Sequence, residues 1–147
     1  MIGVKPYISF PGNCEEAINF YKDCTGGDIL FIQRMGDTPM AGAENGDKIM
    51  HSTLKIGDTF IMAADNCMGP PAAEGDNISM ALGLDSVEAT ESVFNKMAEG
   101  GTVTMPLQET YWASRFGMLK DKYGINWMFN CEKPHGKMLE DDRSSAT

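Results

Sequence analysis

The chain carries one pattern of elements twice. Lys5 to Phe10 is short, apolar and β-prone, and Pro11-Gly12 interrupts it. Asn13 with Glu16 three residues on has the layout of a capping box. Ala17, Phe20, Tyr21 and Cys24 then recur at helical spacing until Gly26-Gly27 stops the helix. Ile78 to Leu84 is a second apolar strand, and Asp85-Ser86-Val87-Glu88 repeats the cap. Val87, Thr90, Phe94 and Met97 form the matching stripe, and Gly100-Gly101 repeats the stop about 74 residues after the first. A period this long requires a fold built from two like units.

Three strand candidates follow each Gly-Gly pair. They are Ile29 to Met35, Lys48 to Ile56 and Thr59 to Ala64, then Thr102 to Leu107, Ser114 to Lys120 and Ile125 to Cys131. Gly57-Asp58 predicts a tight hairpin. The loop from Gly36 to Gly46 lengthens the first half, and Asn66 to Asp76, with Pro70-Pro71 and Gly75, reads as a linker. The expected class is α+β: two βαβββ modules forming a curved mixed sheet around a cavity. Residues 1–131 make a single domain of module one (1–65), linker (66–76) and module two (77–131). The polar stretch 132–147 is expected as a disordered tail.

Composition narrows the partners. A net charge of −9, with 12 Lys and Arg scattered and never in a run, argues against a phosphate-backbone partner. No apolar stretch approaches the roughly 20 residues of a membrane span. Met1 to Phe10 reads as a strand rather than a leader peptide, so a cytoplasmic location is expected. Cys14, Cys24, Cys67 and Cys131 lack CxxC spacing and read as buried reduced thiols, Cys24 on the helix stripe and Cys131 at a strand end.

The strand faces point to a pocket. Ile125, Trp127 and Phe129 suit packing under a helix, whereas Asn126, Met128 and Asn130 opposite them are too polar for a core and too apolar for open water. Ser79, Ala81 and Gly83 oppose Ile78, Met80, Leu82 and Leu84 in the same way, and Lys5, Tyr7 and Ser9 oppose Ile8 and Phe10.

Pro6-Tyr7-Ile8-Ser9-Phe10 with Gly12-Asn13, Ala17-Ile18 with Phe20-Tyr21, Gln108-Glu109-Thr110 with Trp112-Ala113, and Asp121-Lys122-Tyr123-Gly124 with Trp127-Met128 carry a resemblance. Over about residues 4–131, the chain resembles the PhnB-like branch of the vicinal oxygen chelate, or glyoxalase/bleomycin-resistance/dioxygenase, superfamily. Relatives in that branch often bear the name 3-demethylubiquinone methyltransferase. Metal-dependent members use His, Gln or Glu on the first and last strand of each module. Carried over by the repeat, those positions are Lys5, Met62, Ser79 and Met128. None suits Zn²⁺, Ni²⁺, Mn²⁺ or Fe²⁺: an ammonium has no lone pair, a neutral hydroxyl is a poor ligand and a thioether is soft. No metal and no cofactor are therefore expected. A methyltransferase reading also lacks support, because neither Pro11-Gly12-Asn13 nor Asp85-Ser86 offers a glycine-rich nucleotide turn.

Other residues remain open to chemistry. His51 shares a strand face with Thr53 and Lys55; it serves either as a general base or as a hydrogen-bonded structural or interface residue. His135 lies in the tail. Trp112, Arg115 and Phe116 follow Gln108-Glu109 at a bend. Either Arg115 clamps an anion beside a stacking aromatic, or the rings fill a core or dimer seam while Arg115 balances Glu109. Met62 and Met128 either line an adaptable pocket or fill the core. The expected ligand pocket is Lys5, Tyr7, His51, Met62, Ser79, Trp112, Arg115, Asn126 and Met128. The leading expectation is a metal-independent small-molecule-binding protein. The alternative is an enzyme with a rearranged site, His51 or Glu109 acting on a small oxoacid, phosphonate or quinone-like substrate. The resemblance implies a homodimer, and Tyr111, Trp112 and Phe116 suggest where its isologous seam lies.

Overall fold

β1 (Tyr7–Phe10) starts two residues later than the sequence suggests. Pro6 has no amide hydrogen for a ladder, although its carbonyl still accepts from Met62 N at 3.0 Å. The computed structural model describes residues 3–39, 46–66 and 73–133 and divides at Ala73/Glu74 into two units. The first contains β1, α1 (Cys14–Thr25), β2 (Asp28–Arg34), a single 3-10 turn (Met35–Asp37), β3 (Ile49–Ile56) and β4 (Thr59–Asp65). The second contains β5 (Met80–Leu84), α2 (Val87–Ala98), β6 (Thr102–Gln108), β7 (Ala113–Lys120) and β8 (Asn126–Glu132). Each is a βαβββ module with a four-stranded mixed sheet, ordered β1-β4-β3-β2 in one and β5-β8-β7-β6 in the other. β1–β4 and β5–β8 pair in parallel, and the remaining neighbours are antiparallel. The division at 73/74 falls inside the stretch read as linker, and β8 extends one residue into the stretch read as tail.

The two helix starts differ although their sequences look alike. At α2 the Ser86 hydroxyl accepts from Ala89 N at 3.0 Å. At α1 the expected capping box does not form: Asn13 makes no side-chain cap bond, and its Oδ1 is buried without a partner among the described residues. Asp65, at the end of β4, takes over. Its Oδ1 accepts from Cys14 N and its Oδ2 from Ile49 N, both at 2.8 Å. A carboxylate bound to the sheet thus satisfies an orphan donor at the positive end of the helix.

The Gly-Gly stops have a shared logic. Gly26 and Gly100 take φ of +75° and +74°, the left-handed conformation that closes a helix. A Cβ on the second glycine would meet a hairpin carbonyl: 2.5 Å from Lys55 O at Gly27 and 2.4 Å from Lys120 O at Gly101. Each helix can therefore return to its own sheet in one step.

α1 buries Cys14, Ala17, Ile18, Tyr21 and Cys24. Phe20, expected in the stripe, is only half-buried, because Ile18 and Cys14 complete the inward face instead. Under α1 lie Phe10, Ile49, Leu54, Ile61 and Ala63. In the second unit Thr90, Phe94 and Met97 meet Leu119, Trp127 and Phe129, with Phe94 edge-on to Phe129 at 5.1 Å. Each such large side chain contributes roughly 1.5–3 kcal/mol by leaving water. Asp121, 3% exposed, organises the β7–β8 turn. One oxygen accepts from Tyr123 N and Ile125 N, the other from Trp127 Nε1 at 2.8 Å. Cys14, Cys24 and Cys131 are buried and in no disulfide; Cys67 and His135 lie outside the described residues.

Candidate functional site

With its helix on one side, each sheet leaves the other side for function. In the first unit the register fixes that open face. Tyr7 pairs with Met62, Met62 with Thr53 and Thr53 with Phe31, giving one row across all four strands. Lys55 pairs with Phe60 in the row on one side, and His51 pairs with Gln33 in the row on the other. Two bulges adjust this face. Ile29 opposes Leu54 and Phe31 opposes Thr53, so Leu30 is an extra residue; Met50 is likewise extra between His51 and Ile49. The second bulge turns Ile49 into the core while His51 stays on the open side.

There the His51 ring lies between two aromatics, 6.0 Å from Tyr7 and 6.0 Å from Phe31. Tyr7 and Phe31 are 53% and 49% exposed, far more than aromatic rings placed only for packing. Among the described residues the imidazole nitrogens hold no hydrogen bond. Lys5, just before β1, and Lys55 hold their ammonium groups 5.5 and 5.9 Å from the Phe60 ring centre. Of the expected pocket residues, Lys5, Tyr7, His51 and Met62 therefore share one face. Phe31, Phe60 and Gln33 join them unforeseen. Strict alternation from Met62 would have found Phe60, but the bulge at Leu30 breaks the alternation that would have found Phe31.

In the second unit Met128 lies between Ala81 and Met118 on the open face. Trp112 stacks edge-on against Phe116 at 5.4 Å and Tyr111 at 4.9 Å. Ser79 is exposed just ahead of β5. Asn126 spends its amide on Gly75 O at 2.7 Å and Ile78 O at 3.3 Å, fixing the segment that leads into β5. Arg115 is set apart from Trp112 and Phe116. Ala113 opposes Glu132 and Arg115 opposes Cys131, so Ser114 is an extra residue and Arg115 emerges on the helix side. Its guanidinium lies 3.4 Å from Glu91 of α2. Glu109, which the sequence offers as its counter-ion, instead meets Lys133 at 3.3 Å and is exposed.

Electrostatics are most altered away from these faces. Burial, then the nearby Asp65 charge, pushes the Cys14 thiol up to about 12, against a weak contact with Ser52 Oγ; Glu15 adds slightly to the rise. The Arg34 guanidinium, bound to both Glu15 oxygens at 2.9 and 2.7 Å, holds that carboxyl below its ordinary range. Among the described residues, no three His, Cys, Asp or Glu side chains come together in a way that could hold a metal ion.

The superfamily model described as Glyoxalase/Bleomycin resistance protein/Dioxygenase matches residues 4–129. The chain belongs to that superfamily. Its relatives place it in the PhnB-like branch. It is 30% identical to Protein YjdN of Escherichia coli K12 over 141 residues, 88% of this chain and 95% of that protein. Protein PA1353 of Pseudomonas aeruginosa is 41% identical with a TM-score of 0.82, over 90% of this chain and 98% of that one. A Bacillus cereus PhnB protein described as a putative 3-demethylubiquinone-9 3-methyltransferase is 26% identical, with a TM-score of 0.77, over 88% and 99%. Metal-dependent members of this superfamily use imidazole, amide or carboxylate donors, and the residues that the resemblance assigns to those positions do not fit. Lys5 stands over Phe60, Met62 sits between Tyr7 and Thr53, Ser79 precedes β5, and Met128 sits between Ala81 and Met118.

Proposed function

We propose that this superfamily member is a homodimeric, cytoplasmic small-molecule-binding protein that works without the metal quartet. The observation that carries the reading is the open face of the first sheet. Exposed rings and a histidine whose nitrogens hold no hydrogen bond among the described residues gather there, beside two positions whose side chains suit a borderline metal poorly. Among the described residues Cys14, Cys24 and Cys131 are buried and in no disulfide, which suits a reducing compartment. The methyltransferase name borne by the Bacillus relative gains no support from the β1–α1 turn, Pro11-Gly12-Asn13, which offers no cradle for a nucleotide. Elemental analysis of the purified full chain tests the proposal. Substoichiometric transition metal is the expected result; a stoichiometric metal lost on Met62→Ala or Met128→Ala overturns it.

A second reading, an enzyme with a rearranged site, is favoured by the nitrogens of His51, which hold no hydrogen bond among the described residues and leave it available as a base. Glu109 fits that role less well, because Lys133 engages its carboxylate at the surface. Substrates of the kind to screen are small oxoacids, phosphonates and quinone-like compounds. In that case His51→Ala abolishes turnover while the circular dichroism spectrum is unchanged; retained turnover removes His51 from the chemistry.

A further inference from the structure

The open face of the first sheet is graded along its strands. Lys5, Phe60 and Lys55 form one end, Tyr7, Met62, Thr53 and Phe31 the middle, and His51 with Gln33 the other end. Side chains on one face repeat every second residue, so these rows are spaced by about 6.7 Å and the outer two lie roughly 13 Å apart. The first row, which Asp28 completes on β2, holds two ammonium groups against one carboxylate and is net cationic in a chain of net charge −9. Neither Lys5 nor Lys55 forms an ion pair among the described residues, although Asp28 is the cross-strand neighbour of Lys55. Instead both ammonium groups lie beside one ring, 5.5 and 5.9 Å from the centre of Phe60, with no carboxylate bound to either among the described residues. Such a pair attracts an anion. The middle row supplies flat and polarisable surface, and the last row supplies neutral hydrogen-bonding groups.

We infer that this face binds a planar aromatic carboxylate. Its anionic head lies between Lys5 and Lys55, its rings lie over Tyr7, Met62 and Phe31, and a hydroxyl or carbonyl at its far end meets His51 and Gln33. This rests on the reading of the chain as a small-molecule-binding protein and names the class of molecule. The three rows select for different features. The lysines discriminate charge, Tyr7 and Phe31 discriminate planarity, and His51 with Gln33 rewards a polar group at the right distance. An ammonium is a point charge on a flexible stem, so the head group is chosen by its charge more than by fork geometry.

6-Hydroxy-2-naphthoate is a suitable probe, rigid and flat, with its carboxylate and hydroxyl at opposite ends. Calorimetric titration of the full chain with this acid and with its methyl ester provides the test. The acid should bind at least about tenfold more tightly than the ester, the scale of one charge-assisted hydrogen bond. The double substitution Lys5→Met and Lys55→Met keeps the apolar stems; it should bring the acid down to the ester's affinity and leave the ester unchanged. Phe31→Ala should weaken both. Lys5 and Phe31 are exposed and Lys55 is half-buried, and circular dichroism checks that each variant folds. Equal affinity for acid and ester, or an acid affinity untouched by the lysine substitutions, overturns the anion specificity and leaves the ligand-binding reading standing. Binding of neither probe overturns the inference for this face. A stoichiometric transition metal in the same preparation overturns the underlying reading as well.

Discussion

Each module has one buried aspartate that holds backbone, Asp65 in the first and Asp121 in the second, and Asp65 makes a quantitative prediction. Asp65 accepts two amides from different elements, so Asp65→Asn sets an NH₂ against a buried N–H donor. The expected loss is about 2 kcal/mol in chemical denaturation, the cost of leaving a buried donor unsatisfied. Beside it, Cys14 predicts a pH effect whose sign follows from its raised value. The folded thiol titrates near 12 and the unfolded one near its ordinary value, so the unfolded chain gives up its proton first as pH rises. The stabilisation is whole below about pH 8.5 and falls by up to about 1.4 kcal/mol per unit above it, until the folded thiol itself ionises. Wild type should therefore lose stability between pH 9 and 11 more steeply than Cys14→Ala, as read from thermal melts at each pH. Parallel slopes would show that the thiol carries no such linkage.

Among the elements, the repeat supplies its own controls. Ser86 and Asn13 occupy equivalent sites, yet only Ser86 accepts a helix N–H. Ser86→Ala should cost about 1 kcal/mol, while Asn13→Ala should be neutral or slightly stabilising because it removes an unpartnered buried oxygen. Equal losses in urea titrations would contradict the caps described above. The second glycine of each stop is constrained by contact rather than by conformation. Gly27→Ala and Gly101→Ala each place a Cβ against a carbonyl, and each should cost about 1–3 kcal/mol by overpacking. A midpoint shift within error for either would mean that the hairpin yields more easily than its ladder bonds suggest.

For the whole molecule, the prediction concerns assembly. Tyr111 is 87% and Trp112 39% exposed, joined edge to face with Phe116 in a segment with few ways to shed that surface within its own unit. Exposed aromatics of this size favour a partner surface. Light scattering should give about twice the 16.1 kDa chain mass at micromolar concentration, and Trp112→Ala should shift the equilibrium toward the single chain. A mass of one chain for the wild type would refute the dimer.

The amino-acid sequence alone determined the duplicated βαβββ pattern. Its signals are local: apolar period, the Ser86 cap, the Gly26-Gly27 and Gly100-Gly101 stops and the Gly57 hairpin each act within a few residues. Strand edges were legible to within about two residues, and so was the open face from Tyr7 to Met62, since alternation holds wherever a strand is regular. Tertiary structure alone decided three matters. A carboxylate 51 residues away in sequence, not Asn13, meets the first amide of α1. One extra residue at Ser114 sends Arg115 to Glu91, and one at Leu30 brings Phe31 to His51. Each depends on which strand lies beside which and in what register. A bulge reverses the face of every side chain beyond it, and no local propensity announces where it falls.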